Sequence, residues 1–258
     1  LFFDIARIAK HHKPKVLFLE NVKNLTKHYN GNTLKIILNT ITELGYNVFW
    51  KVLSASYYGV PQARERIYIV AFRNDLGVKK FDFPSPKFKR IYIKDILESN
   101  DNTKELIIER NDIKFWKRDE SPQLKPIQIG TINKGGQGER IYSINGHAIT
   151  LSAYGGGAAG KTGAYLVNDK VRKLSPRECA RAQGYPDSFK IPVSKSQAYQ
   201  QFGNSVAVPV VEAVANQIVK YLSFAEKEKV SESIEIEQPL LEPAMISKDL
   251  SIQMRIIN

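Results

Sequence analysis

The chain has 258 residues, a formal net charge of +12 and 43% hydrophobic residues. That length admits one large domain or two smaller ones with a sizeable core. The positive charge favours a polyanionic partner, nucleic acid or an acidic membrane surface. A single cysteine, Cys179, excludes an intrachain disulfide framework and a cysteine zinc site. No run of about 18 apolar residues offers a membrane span, and no signal-peptide pattern is present.

Leu1, Phe2, Ile5, Ile8 and Ala9 recur at helical spacing, so a helix is expected over Leu1–Lys10. The chain opens inside this pattern, and an N-terminal truncation is expected. Lys15–Val22 carries four consecutive apolar residues running into Glu20 and Asn21, the pattern of a buried parallel strand with a polar C-terminal end. In open α/β sheets that end is where ligands bind. Asn32-Thr33 can cap a second helix whose apolar face is Leu34, Ile37, Leu38, Ile41 and Leu44, with Gly45 as its stop. Val48–Ser54 and Arg66–Phe72 are expected as strands. The alternation predicts part of a parallel α/β sheet.

The character changes after Phe81. Phe83–Lys89 is rich in Pro and Lys and is expected as a linker. From about Ile91 to Val171 the helical period is lost. Short β-prone runs replace it at Ile127–Ile132, Arg140–Ile144, Ala148–Ala153 and Ala164–Val167, separated by glycine clusters. A small, mostly β insert is expected. Ser175-Pro-Arg-Glu178 is a capping box with Pro at the first helical position, stopping at Gly184. Pro209 opens a helix with Val210, Val214, Ile218 and Leu222 spaced by four. Beyond Leu222 the polar tail is expected to be disordered. The division is 1–90 for part of an α/β body, 91–172 for the insert, 173–222 for a return to the first body, and 223–258 for the tail.

Four stretches could carry chemistry. Arg64 and Arg66 are two apart before a strand and would point the same way, as a fork for phosphate or a base carbonyl. A solvated basic strand start is the bland alternative. Gly135-Gly-Gln-Gly-Glu-Arg140 lets backbone approach a ligand closely and offers Gln and Arg, side chains that read base edges. A solvated turn is the alternative. Gly155–Thr162 fits the G-x-x-x-x-G-K-[ST] phosphate-loop pattern. Gly163–Lys170 then has the pattern of a strand and a turn at Asn168-Asp169, so the helix N-terminus that would hold phosphates is not expected, and an NTPase is a remote alternative. Cys179, inside the capped helix, is expected to be a buried small hydrophobe.

Glu20-Asn21-Val22, Gln62-x-Arg64-x-Arg66, Arg177-Glu-Cys-Ala-Arg181 with Gln183-Gly-Tyr-Pro186, and Gln201-Phe-Gly-Asn-Ser-Val206 stand in one order around a variable insert. Together they resemble the bacterial DNA (cytosine-5) methyltransferases over roughly Leu1–Leu222. Lys134–Ser143 and Ala148–Gly157 are similar to the target-recognition region of members that act on GCGC. The resemblance implies an incomplete Rossmann-like methyltransferase sheet with a target-recognition domain inserted. It implies a thiolate adding to C6 of a flipped cytosine, methyl transfer from S-adenosylmethionine to C5, and a carboxylate that relieves charge at N3.

On that resemblance Glu20 serves N3, Asn21 orients the loops beside it, and Arg64 and Arg66 hold the base. Gln137 fills the vacated space, Arg140 reads guanine, and Thr150, Tyr154 and Gly157 line the DNA face. Asn204, Ser205 and Leu1 lie near the cofactor. The implied partners are double-stranded DNA, a restriction endonuclease and a complementary N-terminal half; the implied setting is the bacterial cytoplasm. The family's Pro-Cys nucleophile loop and glycine-rich cofactor turn have no match in these 258 residues. The chain alone is therefore expected not to methylate DNA. A non-catalytic DNA-binding module or one half of a split enzyme is the alternative.

Overall fold

The structure is a computed structural model and describes residues 1–236. Helix α1 (Phe2–His12) closes on a left-handed Lys13, whose N–H bonds Ala9 O. Strand β1 (Val16–Val22) follows. Helix α2 (Asn32–Glu43) buries Leu34, Ile37 and Ile41, the expected face. Asn32 and Thr33 do not cap it. The chain enters through left-handed Tyr29, Asn30 and Gly31, which makes Gly31 the N-cap and places Asn32 inside the first turn. Gly45, at φ +88°, turns the chain into strand β2 (Tyr46–Ser54), and β3 spans Glu65–Arg73.

The expected parallel sheet is corrected here. The order is β1-β3-β2, and β3 runs antiparallel to both neighbours. Strands β1 and β2 share a direction, as a strand–helix–strand unit requires, but β3 folds back between them. The apolar run Ile67–Phe72 reports burial on both faces and pairing on both sides, not direction; every one of its side chains is at most 3% exposed. Against one face pack α1 and α2 through Ala9, Ile37, Ile41, Ile67 and Ile69. Against the other packs α5 (Val208–Ile236) through Val210, Val214 and Ile218 onto Val70 and Phe72. Helix α5 runs on past Leu222 to Ile236, so the tail expected from 223 is helical up to that residue. The remainder, 237–258, lies outside the described residues.

The Pro- and Lys-rich linker is pinned rather than free. Tyr58 Oη donates to Pro84 O at 2.8 Å, and Lys87 N donates to Tyr57 O at 2.7 Å. Beyond it lies a second sheet of β4 (Ile113–Phe115), β5 (Gln128–Ile132), β6 (Arg140–Ser143), β7 (Ala164–Val167) and β8 (Lys170–Lys173), in chain order. Neighbours are antiparallel except β6 and β7, which are parallel. Asn168 and Asp169, at φ 48° and 61°, make the hairpin turn read from the sequence.

The run Ala148–Ala153, expected as a strand, is a strap instead. Its backbone groups go to the first body: Ala148 N donates to Pro61 O at 2.7 Å, and Ala63 N donates to Ala148 O at 2.8 Å. A parallel β6–β7 pair needs a crossover, and this crossover directs Ala148, Thr150 and Leu151 to residues 61–63. Helix α3 (Pro176–Ala182) has the full capping box: Ser175 Oγ accepts from Glu178 N, and the Glu178 carboxylate accepts from Ser175 N. Helix α4 (Lys195–Asn204) has no counterpart in the sequence pattern, because its Gln-rich face buries Ala198, Phe202 and Gly203 alone. No helix among the described residues is long and apolar enough to cross a membrane.

Candidate active site and nucleic-acid interface

Glu20 leaves the sheet near the C-terminal end of β1, opposite Tyr68 in the ladder, while Arg66 lies opposite Val22. Register therefore brings Glu20 and Arg66 together. Their ion pair spans 3.0 Å from Nε to Oε1, at an angle short of a hydrogen bond. The side chains are 27% and 13% exposed, which leaves Glu20 reachable. Burial pushes the Glu20 carboxyl above its usual value, and the Arg66 and Arg64 guanidiniums oppose that rise. The site thus holds a carboxyl biased towards keeping its proton, with one cation against it. Asn21 Oδ1 accepts from Val22 N at 2.8 Å, fixing the local turn out of β1.

The expected two-arginine fork does not form. Arg64 is 3% exposed, and its guanidinium donates to Leu151 O and Gly203 O, each at 3.2 Å, and to Ser205 O. It precedes β3, where side chains no longer alternate as in a strand, so it turns inward while Arg66 stays with Glu20. Burial and the like charge of Arg66 bring its pKa down to about 10. Gln62, fully buried, does related work: its Nε2 donates to Ala182 O and its Oε1 accepts from Leu151 N, both at 3.2 Å. The Gln62–Arg64 stretch therefore knots the strap, α3 and the end of α4 to the first sheet. Sequence pattern alone assigns Gln62 no role; its spacing from Arg64 is the available signal.

Three of the five residues expected to face DNA converge. Gln137, Thr150 and Tyr154 line one cleft with Ser152, Gly156 and Lys161. Gln137 is exposed on a short turn, and Arg140 is exposed at the start of β6. Thr150 Oγ1 donates to Ala63 O, so its hydroxyl holds the strap to the first body. Tyr154 is 73% exposed, and its hydroxyl accepts from Gln200 Nε2 at 3.0 Å. The glycine loops interlock: a Cβ on Gly138 would sit 1.8 Å from Gly156 O, and Ala159 N donates to Gly138 O at 2.8 Å. Gly157, at φ +86°, makes that turn. Gln200 is a residue that sequence reasoning misses, since no local pattern links it to a tyrosine 46 residues away.

The proposed cofactor residues are scattered. Leu1 is 97% exposed at the start of α1. Asn204 opens onto a groove with Gln197, Gln200 and Gln201, and the Ser205 hydroxyl is engaged by Tyr185 Oη. No hydrogen bond or ion pair among the described residues links Leu1 to the other two. These residues do not enclose S-adenosylmethionine on their own.

Gly155–Thr162 leads through Gly163 into β7, not into a helix, and Thr162 is buried with its hydroxyl on Gly163 O. The NTPase alternative therefore has no helix N-terminus to stand on. Cys179 is 1% exposed, and burial with the neighbouring Glu178 charge pushes its thiol well up. It is a core residue, unsuited to act as a thiolate.

Residues 1–220 match the family of C-5 cytosine-specific DNA methylases. The chain is 54% identical over 225 residues to the type II methyltransferase M.HhaI of Haemophilus parahaemolyticus, covering 87% of this chain and 69% of the relative. It is 41% identical to M.SsoII of Shigella sonnei, covering 86% of this chain and 57% of that protein. The chain thus spans a little over half to about two thirds of the length of these relatives. Its fold is similar to the Schizosaccharomyces pombe Dnmt2 methyltransferase, with a TM-score of 0.61 at 18% identity over 84% of this chain and 69% of that one. A putative DNA modification methyltransferase encoded in an Escherichia coli prophage gives 0.57 at 18% identity, over 84% and 72%. These neighbours carry the Rossmann-like methyltransferase fold. Sheet, motif order and relatives agree: the chain belongs to the C-5 cytosine-specific DNA methylase family.

Proposed function

We propose that this chain supplies the base-activating and DNA-reading parts of a type II DNA (cytosine-5) methyltransferase acting at GCGC. The observation that carries the proposal is the Glu20–Arg66 pair, half-buried and reachable at the C-terminal end of β1. A cytosine flipped out of the duplex would set its N3 against Glu20. As a nucleophile adds to the ring, negative charge develops there. A carboxyl whose proton affinity is raised by burial is suited to deliver a proton or a hydrogen bond at that atom. Arg66 would face the base's carbonyl edge while holding Glu20 in place. S-adenosylmethionine, when bound, supplies an electrophilic methyl; Asn204 and Ser205 would stand at the edge of its site, with Leu1 as a further contact.

Gln137 would enter the space the cytosine leaves, and Arg140 would read guanine. Tyr154 and Thr150 would shape the same cleft, with Gly157 in the turn beside it. The GCGC assignment rests on the resemblance of 134–143 and 148–157 to that recognition region. The nucleophilic thiolate is proposed to lie outside these 258 residues, because the sole thiol here, Cys179, is in the core. The outer edge of β1 has no strand partner among the described residues. Leu1, Phe3 and Ile8, at and on α1, are 97%, 70% and 50% exposed, an apolar surface that the thiolate-bearing segment would cover.

The test combines the chain with a polypeptide carrying a Pro-Cys loop and a glycine-rich cofactor turn. Transfer of labelled methyl to GCGC duplexes is expected only from the combination, and Glu20→Gln should slow transfer while leaving duplex binding intact. Specific binding without transfer by the combination would favour a non-catalytic recognition module, the reading that the buried Cys179 otherwise supports.

A further inference from the structure

The Gly155–Thr162 run resembles a phosphate loop yet enters a strand, and the recognition cleft uses only part of it. The same loop also walls a second cavity of about 410 Å³, which shares Gly155, Gly160 and Lys161 with the cleft. Three lysines line it, Lys161, Lys173 and Lys195, against one acidic residue, Glu105. Glu105 is committed to Lys195. Neither Lys161 nor Lys173 has an acidic partner among the described residues. Ser196 adds a hydroxyl, and the first-turn N–H groups of α4 at Lys195 and Ser196 have no intrahelical acceptor.

Lys161 stands at φ +77°, a left-handed conformation that a residue with a side chain disfavours, two residues before a glycine that adopts it freely. The chain thus keeps a cation where its backbone favours glycine.

We propose that this cavity seats a backbone phosphate of the DNA just outside the recognised base pairs, an inference that rests on the chain binding DNA through the adjoining cleft. A duplex lying on Gln137 and Tyr154 has its next phosphates beyond the shared residues, and the unpaired lysines meet them there. The cavity's lining is mostly polar, with Leu106, Ala158 and Tyr199 as its larger apolar surfaces. Phosphate contact positions a duplex without reading it. The cavity therefore adds affinity and salt dependence and leaves sequence preference to the cleft.

The test measures duplex binding by the 258-residue chain against salt, using fluorescence anisotropy with a GCGC duplex and one changed in a single pair. Lys173→Ala is expected to weaken both duplexes by the same factor and to flatten the slope of log affinity against log salt by about 0.9, one phosphate's worth. Lys173→Arg should restore the slope. On a duplex ending at the last recognised pair, wild type and Lys173→Ala should bind alike. If wild type prefers GCGC and Lys173→Ala keeps the full slope, this inference is overturned and the proposed function stands. A changed preference between the duplexes would overturn it as well, by making Lys173 a reader of sequence. Inorganic phosphate binding that Lys173→Ala abolishes, with the DNA slope unmoved, would show a small-anion site in its place. Absence of any duplex binding by wild type would overturn both.

Discussion

The seam between the two sheets and the cleft beside Gln137 use polar groups in opposite ways. In the interior Gln62, Arg64, His147, Arg172 and Glu178 are all at most 3% exposed and bond to protein groups, Gln62, Arg64 and His147 across the seam and Arg172 with Glu178 beside the second sheet. In the cleft Gln137 and Tyr154 face solvent, as does Arg140 at the start of β6. Residue type does not separate the two groups, since each contains a Gln and an Arg. Burial does: a desolvated guanidinium must be satisfied internally, and only an exposed one can be offered to a base. Glu20 and Arg66 sit between these extremes, half-buried and close enough to tune each other.

The largest effect should come from breaking the buried Arg172–Glu178 pair beside the second sheet. Glu178 accepts from both terminal nitrogens of Arg172, at 2.7 and 2.8 Å, and from Glu98 N and Ser175 N, each at 2.8 Å. Glu178→Gln would leave the Arg172 charge buried and uncompensated. A loss of about 3–5 kcal/mol in denaturant unfolding is expected, and an unchanged midpoint would show the pair to be dispensable.

A smaller break is set by pH. Burial brings the pKa of His147 down to about 4, and its Nδ1 meets Ser56 Oγ at 3.2 Å across the seam. The folded state resists a proton that the unfolded chain accepts near 6.5. Stability is therefore full above that value and falls as pH drops from about 6.5 towards 4, by roughly 2–3 kcal/mol. His147→Gln should remove that component from the pH profile; an identical profile would count against it.

Within the cleft the break is local. Gly138→Ala would press a Cβ against the backbone oxygen of Gly156. A cost of about 1–3 kcal/mol and a wider cleft are expected, seen as weaker discrimination between duplexes rather than lost secondary structure. Equal loss on every duplex would place Gly138 in the fold instead of the reading surface.

Much of this contrast is legible in the sequence, and the failures have causes. The capping box at Ser175–Glu178 and the turn at Asn168-Asp169 are local, and local chemistry decides them. The direction of β3 is not legible, because an apolar run such as Ile67–Phe72 records burial on both faces alone. Ala148–Ala153 has strand-like composition but meets residues 61–63, a long-range partner that periodicity cannot reveal. Arg64 and Arg66 look equivalent in sequence. One lies before the strand and turns inward; the other lies on it and meets Glu20. The motif order points to the right family. The division of labour inside each motif emerges only from the tertiary contacts.

The most direct test compares a GCGC duplex with one changed at a guanine, measuring the affinity ratio for wild type and Arg140→Ala alongside thermal unfolding. Arg140 is exposed and outside the seam, so the ratio should shrink by about 1–3 kcal/mol while the unfolding midpoint stays in place. An unchanged ratio, or a ratio that falls only together with the midpoint, would contradict the separation of reading surface from seam.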